Sequence, residues 1–202
     1  MKTKAFSIRR MAFIAVMAAV ATALMFLKIA IPIAPSFMKM DISELPALIT
    51  GFYLGPVAGF VVILIKILLH TIIEGTDTAF VGEAANIIMS MAFVVPAALI
   101  YKANRTKKGA LISLIAASVI GAVTAIFVNL WITFPLYGKL YGITIDAIVG
   151  MMSGVIPAIK NGFTLMLFSI FPFNLIKHIV TSILTWLLYK RTGKLLRRIN
   201  VE

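Results

Sequence analysis

The sequence predicts an all-α integral membrane protein with six transmembrane helices, and three observations carry that prediction. Of 202 residues, 61% are hydrophobic and only 13% are charged, against roughly 25% charged in soluble domains; mean hydropathy is +1.06. Apolar stretches recur with little polar interruption, and about 20 such residues span a hydrocarbon core about 30 Å thick. The alternating pattern of a membrane β-barrel is absent.

The apolar runs place helices at about 8–31, 42–54, 56–73, 82–102, 108–134 and 172–192, in a single domain of 1–202. The first run follows Lys2, Lys4, Arg9 and Arg10 as in a signal peptide, but it is too long for one and more spans follow. Asp41 and Glu44 in DISE have the spacing of a capping box, which predicts the start of helix two. Gly55-Pro56 either turns the chain or kinks one long span. Residues 135–171, with five glycines from Gly138 to Gly162 and with Lys139, Asp146 and Lys160, read as a long, partly buried outer connection.

Charge decides the reading of Gly55-Pro56. With a turn there, both termini and the 103–108 loop share one side and gather 13 of the 19 basic residues, cytoplasmic by the positive-inside rule. The opposite side then holds Asp41, Glu44, Glu74, Asp77, Glu83 and Asp146. A kinked single span would put the YKANRTKK loop outside, against the rule. The net charge of +12 thus sits at helix ends and does not argue for nucleic acid.

Several chemistries are excluded. There is no Cys for a disulfide or thiolate site, no GxxxxGK[ST] loop for ATP, no HExxH and no GxSxG elbow. His70 and His178 lie on different helices without carboxylates at ligand spacing. No catalytic residue and no metal ligand is expected.

What remains is a set of polar residues inside apolar runs. In FPFNLIKHIV, Asn174 and Lys177 stand one helical turn apart on one face, with Pro172 suited to a first turn. Either they line a ligand cavity, as intramembrane ionisable residues do, or Asn174 caps the backbone and Lys177 snorkels to headgroups. Asn129, among Trp131, Phe134 and Tyr137, is a further buried amide, although those aromatics also suit an interfacial belt. In the first outer loop, Phe37, Met38, Met40 and Asp41 suit an apolar slot or a lipid-facing loop. Ala15, Ala19 and Ala23 form a smooth stripe on helix one, for internal packing or for docking a separate membrane subunit. Lys66, Glu83 and Asn86 lie in or near spans and take no firm role.

The Ala15-xxx-Ala19 stripe, KMDISELPALITGFYLGPVAG, FPLYGKLYG and PFNLIKHIV, in this order, resemble the riboflavin-specific S-components of energy-coupling factor transporters over nearly the whole chain. The resemblance implies a six-helix vitamin-binding subunit of a prokaryotic cell membrane, not an enzyme. It would bind riboflavin outside and work with a transmembrane T-component carrying two ATPases. It needs no cofactor, since riboflavin is the transported substrate; flavin mononucleotide is also compatible. Residue by residue, Asn129, Asn174 and Lys177 resemble the polar flavin contacts, the loop from Phe37 through Met38 and Met40 to Asp41 the lid, and Ala15, Ala19 and Ala23 the T-component docking face. An S-component for another vitamin is the nearest rival, with biotin compatible with Lys177 and cationic thiamine disfavoured by it. An intramembrane enzyme and a purely structural membrane subunit are the readings from other classes.

Overall fold

The computed structural model describes residues 7–198, with side chains through Arg191. Lys2, Lys4 and the side chains of Lys194, Arg197 and Arg198, all in the expected basic clusters, lie outside the described residues.

Helix α1 (Ile8–Met25) begins at Ser7, whose side chain accepts from Arg10 N. It ends six residues before the expected 31, because the chain from Phe26 turns into a small hairpin: β1 (Ile29–Ala30) pairs antiparallel with β2 (Lys39–Met40). Helix α2 (Glu44–Leu54) starts two residues later than expected and is 11 residues long. At 1.5 Å per residue that is about 16 Å, about half a membrane crossing. The capping box is not formed: Ser43 is the N-cap without a side-chain cap bond, and Asp41 Oδ1 accepts from Ser43 N at 2.8 Å.

Gly55 takes φ +96°, a conformation side chains resist, and Pro56 opens α3 (Pro56–Glu74) at its first turn. The junction is therefore a tight turn, and α2 folds back along α3. The two backbones meet closely: a Cβ on Gly59 would stand 2.9 Å from Ala47 O and 3.2 Å from Gly51 Cα. In lipid, where burial of apolar surface between helices gains little, such backbone contact supplies the packing. Gly59→Ala is expected to destabilise the purified protein by about 1–3 kcal/mol, read as a lowered melting temperature in detergent. Gly150→Ala, where an added Cβ meets nothing within 4 Å, serves as the neutral comparison.

Helix α4 (Val81–Ala103) leads by a short loop to α5 (Lys107–Val128). The latter runs on through a π-turn (Asn129–Thr133) into α6 (Phe134–Tyr141), past the expected end at 134. The expected connection 135–171 is instead largely helical, with α7 (Ile145–Ser153), α8 (Gly162–Leu165), a second π-turn (Met166–Ile170) and then α9 (Phe171–Arg198). Pro172 is thus inside a continuous helix and not in its first turn. Both π-turns have one cause. Pro135 and Pro172 lack an N–H and crowd the carbonyl four residues back. The helix widens just before each, with Phe134 N bonding Asn129 O and Phe171 N bonding Met166 O.

Among the described residues, five helical stretches are long and apolar enough to cross a membrane: Ile8–Met25, Pro56–Glu74, Val81–Ala103, Lys107–Tyr141 and Gly162–Arg191. The short α2 stands beside them in place of a sixth full span. One end of the bundle is tied by stacked Phe52 and Tyr101, by Tyr189 edge-on to both, and by the Tyr53 hydroxyl donating to Tyr189 O. Lys102, Arg105, Lys107, Lys108, Lys190 and Arg191 belong to this end, where Lys107 lies over the Trp186 ring. At the other end Lys28 Nζ pairs with Glu74 Oε2 at 2.5 Å and Tyr141 donates to Asp77 O.

Candidate ligand-binding site

Near that second end, the short hairpin, α4, the first π-turn with α6, and α9 enclose a cavity of about 140 Å³. Each wall has a sequence-local cause. Asn129 and Thr133 stand one turn apart on the π-turn, with Tyr137 one turn further; Phe173, Asn174 and Lys177 follow the second π-turn. Six of the residues that the sequence assigns to a site line it, Phe37, Met38, Asp41, Asn129, Asn174 and Lys177, as do Asn86 and Tyr137, which the sequence marks without a firm role. Met40 does not; its place is in the hairpin, paired with Ile29. Ser169, in the second π-turn, donates to Ile33 O at 2.6 Å and ties the hairpin loop over the cavity.

The aromatics flanking Asn129 divide. Phe134 is buried and Tyr137 lines the cavity, each edge-on to Phe37 with ring centroids 6.4 and 5.5 Å apart. Trp131, at 69% exposure, faces outward, as an interfacial belt residue does.

The polar side is an ordered network. Lys177 Nζ lies 3.3 Å from Asp41 Oδ2 and 3.1 Å from Glu44 Oε1, so it turns inward and does not snorkel. Glu44 Oε1 also accepts from Ser90 at 2.9 Å and faces Lys66 Nζ at 3.4 Å, while Lys66 donates to Ser43 Oγ at 2.6 Å. The side-chain amides of Asn129 and Asn174 each donate to the carbonyl four residues back, Ala125 O and Ile170 O, both at 2.8 Å. Asn174 therefore makes the backbone contact weighed for it and lines the cavity as well.

Sequence reasoning did not single out Glu44, Lys66, Ser90 or Thr133 for this region. The hydroxyl of Thr133 is buried without a partner among the described residues and belongs to a residue of the cavity wall. The signal for Glu44 and Lys66 was present: a turn at Gly55 places residues 44 and 66, each 11 positions away, opposite one another. Glu83 is spent at the start of α4, accepting from Thr78 at 2.8 Å.

A larger depression of about 430 Å³ runs between α5 and α9. Its walls are aliphatic apart from Trp186 and the mutually bonded Ser118 and Ser182. It offers no groups to orient a polar ligand and faces where lipid would lie.

Ala15, Ala19 and Ala23 are exposed, whereas Ile14, Ala18 and Ala21 form the inner face of α1. The stripe is therefore not covered by the described residues of this chain.

Residues 9–189 match the family described as "ECF transporter, substrate-specific component". The chain belongs to this family. Among relatives of this S component, a riboflavin transporter RibU of Staphylococcus aureus (strain TCH60) is 34% identical over 192 residues, covering 95% of this chain and 94% of the relative. A riboflavin transporter FmnP of Bacillus subtilis (strain 168) is 28% identical over 185 residues, 90% of each chain. A solved structure described as the S component of a bacterial ECF transporter superposes with a TM-score of 0.71 at 32% identity, covering 93% of this chain and 96% of the other. The S component is thus a multi-pass bacterial membrane protein and a transport subunit rather than an enzyme.

Proposed function

We propose that this S component binds riboflavin in the cavity under the 29–40 hairpin, outside a bacterial cell membrane, and hands it to a transmembrane T-component driven by two ATPases. The observation that carries the reading is the convergence of Phe37, Met38, Asp41, Asn129, Asn174 and Lys177, from three separated segments, on one cavity. Riboflavin is a flat, largely apolar tricycle with amide-like edges and a hydroxylated tail. It needs apolar walls, which Phe37, Met38, Met89 and Phe173 supply, and a few placed donors and acceptors, which the amides, Thr133 and Lys177 supply. The names of the relatives support this choice of vitamin.

The cavity of about 140 Å³ is below the roughly 300 Å³ at which ligand sites of drug size begin. The hairpin that carries Phe37 and Met38, held by two short strands and the Ser169 bond, is the part that yields to admit the ligand. The basic end of the bundle is cytoplasmic by the positive-inside rule, which puts both termini inside and the cavity outside. The exposed stripe of Ala15, Ala19 and Ala23 is the docking face for the T-component, because small side chains let a second helix approach closely.

The choice of vitamin is tested by purifying the chain from riboflavin-containing medium, denaturing it and recording the released absorbance. A flavin spectrum is expected, with added riboflavin rebinding to the folded protein in the presence of excess biotin or thiamine. Displacement by either vitamin, with no flavin released, would reassign the ligand.

A further inference from the structure

Lys66 lies in α3 with zero exposure and is not part of the cavity wall. A lysine buried in a membrane helix is costly, and its partners define what it does. They are Ser43 and Glu44, and through Glu44 Oε1, which lies 3.1 Å from Lys177 Nζ, Lys66 is connected to the buried ammonium that lines the cavity. The buried set then closes: Lys66 and Lys177 against Asp41 and Glu44, two charges of each sign.

We infer that Lys66 is a specificity-determining residue for ligand charge: by neutralising Glu44 behind the wall, it holds the buried charge set at zero, so that a phosphorylated flavin is repelled less than Asp41 and Glu44 against Lys177 alone would repel it. The inference rests on the flavin reading of the cavity. Without Lys66, Asp41 and Glu44 face Lys177 alone and the buried set carries one net negative charge that repels an anion. Without Asp41 the balance tips the other way and an anion is favoured. Two further ionisable neighbours are common to every variant below and leave the differences between them unchanged: His178 packs on Phe93 and is not in the cavity wall, and Lys39 lines the cavity at its exposed rim, where water and salt screen it.

The test is fluorescence titration of riboflavin and of flavin mononucleotide into wild type, Lys66→Met, Asp41→Asn and the double variant, all at pH 8. A unit charge roughly 10 Å away at an effective dielectric of about 20 shifts an anion's affinity by about tenfold. The ratio of flavin mononucleotide to riboflavin dissociation constants is therefore expected to rise about tenfold in Lys66→Met and to fall by about as much in Asp41→Asn. In the charge-balanced double variant it returns to the wild-type value. If Lys66→Met does not fold, the comparison of Asp41→Asn with the double variant carries the same test. A ratio constant across the series, with both affinities falling together, would reduce Lys66 to a packing role and overturn the inference. Wild type that binds no riboflavin would instead remove the flavin reading itself.

Discussion

Lys177→Ala is expected to weaken riboflavin binding by about a hundredfold. A hydrogen bond from a charged donor is worth roughly 1.5–3 kcal/mol, and each 1.4 kcal/mol is a factor of ten in affinity. The upper end applies because Lys177 is buried and held in place by two carboxylates at 3.1 and 3.3 Å, so little ordering is left for the ligand to impose. The same substitution leaves Asp41 and Glu44 facing Lys66 alone, and breaking a buried pair costs about 3–5 kcal/mol of stability. Melting curves in detergent should therefore drop together with affinity. The two effects separate in Lys177→Met combined with Asp41→Asn, which removes one charge of each sign: stability should recover while flavin binding stays weak. Wild-type affinity in that double variant would mean that Lys177 acts only through the charge count and touches no ligand.

The second large effect is on transport alone. Ala19→Arg is expected to abolish riboflavin uptake while leaving the dissociation constant unchanged. Ala19 is exposed, one turn from Ala15 and Ala23, and the core-facing residues of α1 are others. A long charged side chain holds a partner helix away without touching the cavity. Because arginine in a membrane helix itself costs about 2.5–3.5 kcal/mol on insertion scales, Ala19→Phe is the companion variant, bulky but uncharged. Both should bind riboflavin normally and fail in uptake by cells or vesicles holding the whole transporter. Normal uptake by Ala19→Phe would remove the docking face from α1.

Much of this was legible in the sequence because the residues concerned obey local rules. Gly55-Pro56 is a turn on backbone grounds alone, and the positive-inside distribution requires the same turn. Lys177 and Asn174 stood out because polar groups in an apolar helix need a reason, and the cavity contains both. Less legible were features set by contacts between distant segments. Asp41 and Glu44 have capping spacing, yet Lys66 and Lys177 draw both acids into ion pairs, a stronger demand in a low dielectric than an N-terminal amide makes. The first helix stops at Met25 although apolar residues continue, because hydropathy does not distinguish a span from a hairpin that covers a cavity. Residues 135–171 looked irregular through their glycines and Pro157, but the π-turns that absorb Pro135 and Pro172 let helix persist around them.

The most direct measurement is a titration of riboflavin into purified wild-type protein, followed by flavin fluorescence. One binding site of the proposed kind should quench the flavin against its aromatic walls until one equivalent per chain is reached, with a sharp break there that Lys177→Ala blunts. Fluorescence rising in proportion to added riboflavin from the first aliquot, in protein whose circular dichroism shows intact helices, would contradict riboflavin binding by this chain.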